Sequence, residues 1–214
     1  MSKLSKQHFW AWFGRHHQEY LTLKNKSKKG AAYWLNELNA HLRAYYKFLG
    51  FSIDCRQKGL AILTITVYGK SAHFKKVDDL VAKAPTIEGW RFDALEEPQP
   101  IDFFMDDEIQ NAGIDPRELR FSFDEDDSQS SGIWIYHPLC NPENRHHIYK
   151  LADAAIYNLL GERSFATDVR WIEVANLSLV DHDDTEELEA LPDRIAMRRS
   201  AIVVDSEGKL VSVN

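Results

Sequence analysis

Apolar residues recur at helical spacing twice within the first fifty positions. Phe9, Phe13, His17 and Tyr20 with Leu21 form one run, and Ala31, Leu35, Leu38, Leu42, Tyr45 and Leu49 form a more regular one. Gly30 and the lysine-rich stretch before it separate the two. A helical hairpin is therefore predicted, with its aromatic rings in a core rather than around a ligand. The period then changes. FSIDCRQ and LAILTITVYG are rich in β-branched and aromatic residues and flank a turn at Lys58 and Gly59, which predicts two paired strands. Ser71 is placed to cap a helix that carries Phe74, Val77, Val81 and Ala84 on one face and that Pro85 stops. WRFDAL follows as a third strand.

After an intervening, partly helical segment, IDFFMDDEIQNAGIDP, the same order returns. LRFSF and GIWIYH read as strands joined by the acidic loop DEDDSQSSG. A helix is predicted from Pro142 to Leu160, because Ile148, Leu151, Ala152, Ala155, Ile156, Leu159 and Leu160 keep one face apolar. Gly161 is its expected end, and VRWIEVA the next strand. Beyond Asp181 the chain is strongly acidic, then offers a short helix around Ile195 and a β-hairpin, AIVVDSEGKLVSV.

These elements define an α+β fold: an N-terminal helical hairpin followed by two strand-strand-helix-strand units forming mixed sheets with helices packed on one face. The expected boundaries are 1–50 for the hairpin, 51–99 and 100–180 for the two units, and 181–214 for an acidic arm. The recurring order, together with Trp90 four residues before Ala94 and Trp171 four before Ala175, reads as an internal repeat.

Composition supports a globular chain: 44% hydrophobic residues with six Trp, eight Tyr and eleven Phe supply core area without disulfides. Cys55 and Cys140 form no disulfide framework. No stretch approaches the roughly 20 apolar residues of a membrane span, and the N-terminal apolar run is too short for a signal peptide. A cytoplasmic location is the expectation. Charge is uneven. Residues 1–100 hold 16 Lys and Arg against 9 Asp and Glu, and residues 101–214 hold 10 against 24. The basic run Lys24, Lys26, Lys28 and Lys29 lacks interleaved aromatics, which argues against nucleic acid as a partner.

One stretch concentrates chemistry. WIYHPLCNPENRHH, Trp134 to His147, holds a cysteine and three histidines. A metal needs ligands converging at i, i+3 or i, i+4, but adjacent His146 and His147 diverge by about 100° on a helix, so no metal site is expected. The stretch reads as a helix start, with Asn141 as N-cap, Pro142 at the first helical position and Glu143 in the first turn. Cys140 remains a candidate nucleophile, with His137 or His146 as its base, against the alternative of a structural thiol. The corresponding junction of the first unit, Gly69-Lys70-Ser71, is a candidate anion site at a helix N-terminus. The position five before Gly69 is Thr64, so no phosphate-binding loop is specified. The loop from Asp124 fails the calcium pattern, with Gln129 and Ile135 where glycine and glutamate belong. No cofactor is implied.

DPRELRFSF, IYNLLGE and VRWIEVANL, with FWAWF, LTITVYG and LVAKAPTIEGWRFDAL earlier, carry a resemblance over residues 9–180. The chain resembles a family of bacterial cytosolic proteins of unknown function, a resemblance that implies the fold but no activity, ligand or catalytic residue. The functional expectation is a non-enzymatic protein-interaction or regulatory module, with a protein partner or a second copy of the chain. The alternative is a small-molecule binder or thiol-dependent enzyme at the Cys140 junction.

Overall fold

The first helix begins where a serine can satisfy its free amides: Ser5 accepts from the His8 N–H and opens α1, Lys6–Leu21. The computed structural model describes residues 4–55, 59–104, 113–124 and 131–200, with the backbone of 202–204 and 210–212. The turn at Lys58, the segment 105–112, most of the acidic loop after Asp124 and the turn at 205–209 lie outside the described residues. The chain divides into two compact units, Met1–Glu96 and Glu97–Asn214.

In the first unit α1 is followed by α2, Lys28–Tyr45, whose N-cap Ser27 accepts from the Gly30 N–H. Lys28, Lys29 and Gly30 thus belong to the helix and not, as the composition of the run suggests, to the linker. The reason is the serine, which offers the first turn a cap just ahead of them. Phe9, Trp10, Phe13 and Tyr20 of α1 are buried with Leu38 and Leu42 of α2. The Trp10 indole donates to the Leu80 carbonyl at 2.8 Å, and the Tyr20 hydroxyl to the Trp34 carbonyl at 3.1 Å.

The sheet of this unit has the order β1-β2-β3, with β1 at Gly50–Asp54, β2 at Ala61–Thr66 and β3 at Trp90–Ala94. β1 and β2 run antiparallel, and β2 and β3 parallel across α3, Phe74–Val81. Trp10 and Phe13 pack edge-on against Phe92, and Phe13 against Trp90. Such contacts put α1 on the face that Trp90 and Phe92 share, two residues apart on one strand. Ser71 is not a helix cap. It opens a single 3-10 turn, Ser71–His73, and α3 starts at Phe74 with no side-chain cap.

The second unit has the sheet order β6-β5-β4-β7. β4 (Arg120–Phe123) and β5 (Ser131–His137) are antiparallel, and β5 pairs in parallel with β6 (Val169–Asn176) across α4, Arg145–Asp168. The acidic arm supplies β7, Glu186–Glu187, antiparallel to β4. There Arg120 donates to the Thr185 hydroxyl and carbonyl at 2.7 and 2.6 Å. A helix α5, Leu191–Ser200, and the paired strands β8 (Ile202–Val204) and β9 (Leu210–Ser212) complete the chain. Ile133 and Ile135 of β5, Ile172 and Val174 of β6 and the Ile148–Leu160 stripe of α4 form the core, with Leu188, Leu191 and Ile195 of the arm packed into it.

α4 runs beyond the expected end at Leu160. Gly161 breaks the helical geometry with φ 68° and ψ 167°, and the helix then resumes to Asp168. Only glycine adopts that backbone freely, so the residue marks a kink and not a stop.

Candidate functional site

Each unit has one strand-to-helix junction flagged by its sequence, and the two junctions differ. In the second unit, β5 ends at His137, which is fully buried. Its Nδ1 accepts from the Leu139 N–H at 3.2 Å, so the ring proton sits on Nε2, which lies 3.3 Å from a Glu118 carboxylate oxygen. The Cys140 N–H donates back to the His137 carbonyl at 3.0 Å, closing a tight turn.

Asparagines saturate that turn. Asn176 donates to the Pro138 and Cys140 carbonyls, and Asn141 and Asn144 both donate to the Leu139 carbonyl. Asn141 Oδ1 accepts from the Glu143 and Asn144 N–H groups at 2.9 and 3.1 Å. Asn141 thus does satisfy the free amides ahead of the helix, although the regular helix begins only at Arg145.

The Cys140 side chain is buried in the core of this unit at 5% exposure. Burial pushes its thiol above the usual range, with Arg145 opposing the shift. Among the described residues no hydrogen bond joins the thiol to His137 or His146. His146 is exposed at the start of α4 beside the equally exposed His147. Among the described residues no group of three or more His, Cys, Asp or Glu is placed to hold a metal ion.

The junction of the first unit is open. Val67 to Lys70 makes a turn in which the Lys70 N–H donates to the Val67 carbonyl at 3.3 Å, with φ 54° at Tyr68 and 75° at Gly69. Positive φ at both central positions is the type I′ pattern, which favours Asn-Gly or Gly-Gly. A tyrosine held there costs about 1–3 kcal/mol of backbone strain. Two contacts hold it: its N–H donates to the Thr66 hydroxyl at 2.9 Å, and the hydroxyl end of its ring lies against Gly50. A Cβ on Gly50 would meet the ring at 2.5 Å from Cε2 and closer still to the hydroxyl. The hydroxyl end of the Tyr68 ring thus rests on bare backbone, while the residue stays 68% exposed.

Gly50 pairs with Thr66, so Phe48 and Tyr68 lie two residues outside the same pair. Around Phe48 the chain gathers positive charge. Lys47 Nζ stands 4.7 Å and Lys70 Nζ 5.7 Å from its ring centroid, and His73 stacks on it at 4.4 Å with 7° between planes. The Tyr46 hydroxyl is 2.9 Å from His73 Nδ1, and Lys76 Nζ stands 5.9 Å from the Tyr46 ring. Lys47 and Lys70 have no carboxylate partner among the described residues. The nearby Asp79 is held by Lys75 at 3.2 Å and Lys6 at 3.8 Å and also feels Lys76, and these cations hold its carboxyl below the usual range.

Gly69, Lys70 and Ser71 were legible as an anion candidate. Tyr46, Lys47, Phe48, Tyr68, His73 and Lys76 were not, because nothing in their spacing announces that a hairpin and a crossover bring them together. The usable signal was the unusual Tyr-Gly pair in a tight turn.

Among the described residues no helix is long and apolar enough to cross a membrane. Comparison of the chain with protein-family models, with curated proteins and with solved structures finds no match.

Proposed function

We propose that the protein is a non-catalytic interaction module that takes an anionic partner on the cationic aromatic cluster of its first unit. The observation that carries this reading is the pair Lys47 and Lys70, both held over one phenylalanine ring without a carboxylate between them. Like charges gathered on a surface repel, at about 1 kcal/mol for a 4 Å separation in water, and an anion turns that cost into attraction. The cation–π contacts also limit where the two ammonium groups can go, so less freedom is lost on binding. Residues 1–96 hold 16 Lys and Arg against 8 Asp and Glu, which steers anions toward this unit despite the net charge of −7.

The proposal extends to the setting: a cytoplasmic protein, related to the bacterial family it resembles and built from an internal repeat of the ββαβ order. Retention on immobilised heparin tests the binding surface. The full chain should be held at low salt, and a Lys47→Gln, Lys70→Gln variant should elute markedly earlier. Flow-through of the parent protein at low salt defeats the reading.

A second reading places a thiol-dependent enzyme or a small-molecule site at the Cys140 junction. It draws on the position of Cys140 at the end of a strand, beside Arg145 at the start of a helix; both His137 ring nitrogens are already engaged, by the Leu139 N–H and by Glu118, so the base would have to be another group.

A further inference from the structure

We infer that the cluster is a single-stranded nucleic-acid site, with a base stacked on Tyr68 and the flanking phosphates held by Lys47, Lys70 and Lys76. The inference rests on the anionic-partner reading and names the partner. Lysines alone would suit any polyanion. Tyr68 narrows the choice.

Its position in the turn is one where Asn or Gly would be free of strain, yet an aromatic residue occupies it and remains 68% exposed. Gly50, having no side chain, lets the hydroxyl end of that ring rest on backbone, while most of the residue stays open to solvent. An exposed aromatic ring two residues from Lys70 offers the kind of surface on which unpaired bases stack beside lysines that hold phosphates. Phe48 cannot serve as the platform, since His73 stacks on it and Lys47 and Lys70 stand over it. Its role is to position the ammonium groups.

An acidic polypeptide would satisfy the lysines but would have no planar group for Tyr68. A duplex hides its base faces in its own stack, so the ring selects single strands. The basic run Lys24–Lys29 lacks aromatics in sequence. At this site folding supplies them instead, setting Phe48 against Lys47 and Lys70 and Tyr46 against Lys76.

The test is fluorescence anisotropy of a labelled oligothymidylate of about ten nucleotides, titrated with the full chain over a range of salt. Saturable binding is expected, with log affinity falling against log salt at a slope of about −2, as about three phosphate contacts to a single strand require. Replacing Lys47 and Lys70 with Gln should flatten the slope by about 1.4. Tyr68→Gly keeps the left-handed backbone without strain and removes the ring. It should weaken binding by about tenfold and leave the slope unchanged, because stacking releases no counterions.

No binding of the oligonucleotide at low salt overturns the inference, as does an affinity unaffected by Tyr68→Gly. Polyglutamate that binds more tightly than the oligonucleotide overturns it too, while leaving the anionic-partner reading standing. Loss of heparin retention as well ends both.

Discussion

Gly132 provides the sharpest test of the packing described for the second unit. It lies in β5 opposite Trp171 of β6, at a register irregularity, and the Trp171 indole lies flat across it. An added Cβ would stand 2.8 Å from the indole nitrogen and nearer still to Cε2 and Cζ2. Apolar carbon atoms rest at about 3.5–4.0 Å, so the ring would have to move by about 1 Å. Trp171 packs edge-on against Trp134, with centroids 5.6 Å apart, so that movement also disturbs a second ring.

Overpacking of this kind costs about 1–3 kcal/mol. Against it stands the general gain from replacing a strand glycine with alanine, about 0.4–1 kcal/mol through the unfolded chain. The steric term wins. Gly132→Ala should lose about 1–2 kcal/mol, which lowers the melting temperature of a chain this long by about 2–8 °C.

The cause is separable by a double-mutant cycle in urea, followed by far-ultraviolet circular dichroism. In a Trp171→Ala background the same glycine replacement should be neutral or stabilising, giving a coupling energy of about 2 kcal/mol. An equal loss in both backgrounds, or a gain in the parent, refutes the argument. Gly50→Ala offers a contrast, because the obstructing Tyr68 ring is exposed and can swing aside: stability should change by less than about 1 kcal/mol while the stacking platform is displaced.

Other outcomes are specific. Burial raises both thiols, so access decides between them: buried Cys140 should alkylate more slowly at neutral pH than half-buried Cys55, and labelling of Cys140 faster than a free thiol standard would favour the enzyme reading instead. Trp10→Phe removes the indole donor from the Leu80 carbonyl and should cost the first unit about 1–3 kcal/mol, read by denaturant unfolding; a loss under about 0.5 kcal/mol would show that the bond is dispensable. Burial raises the Asp153 carboxyl in the folded state. A raised carboxyl holds its proton more tightly in the native protein, so the penalty is absent below its ordinary value of about 4, grows as pH rises from there to the raised value and is complete above it. Asp153→Asn should therefore gain stability at about pH 7 and little at about pH 3, and the reverse pH dependence would contradict this.

Secondary structure was legible because periodicity is local. The apolar spacing of α1, α2 and the Ile148–Leu160 stripe of α4 needs no partner to be read, and neither does the β-branched density of β2 and β6. The α+β class and the strand-strand-helix-strand order follow from those local periods. Errors came where a residue's role depends on its surroundings. Ser71 has the chemistry of a cap but sits in a 3-10 turn, and Gly161 has the chemistry of a stop but makes a kink, after which Phe165 of the resumed helix packs against the same core. The pairing of β7 with β4 also escaped notice, since two glutamates carry no strand signal and the Arg120–Thr185 bonds join residues far apart in sequence.

The two junctions show the same division. Residue types alone marked 137–147 and 69–71 as places where chemistry could occur, and sequence by itself could go no further than that. Tertiary structure decided which polar groups remain available. Asn141, Asn144 and Asn176 consume the carbonyls around Cys140, whereas the β1–β2 hairpin and α3 bring Lys47 and Lys70 to the exposed Phe48 ring and Lys76 to the half-buried Tyr46 ring. Proximity between residues distant in the chain is a property of packing, and charge and ring geometry act only at such short range.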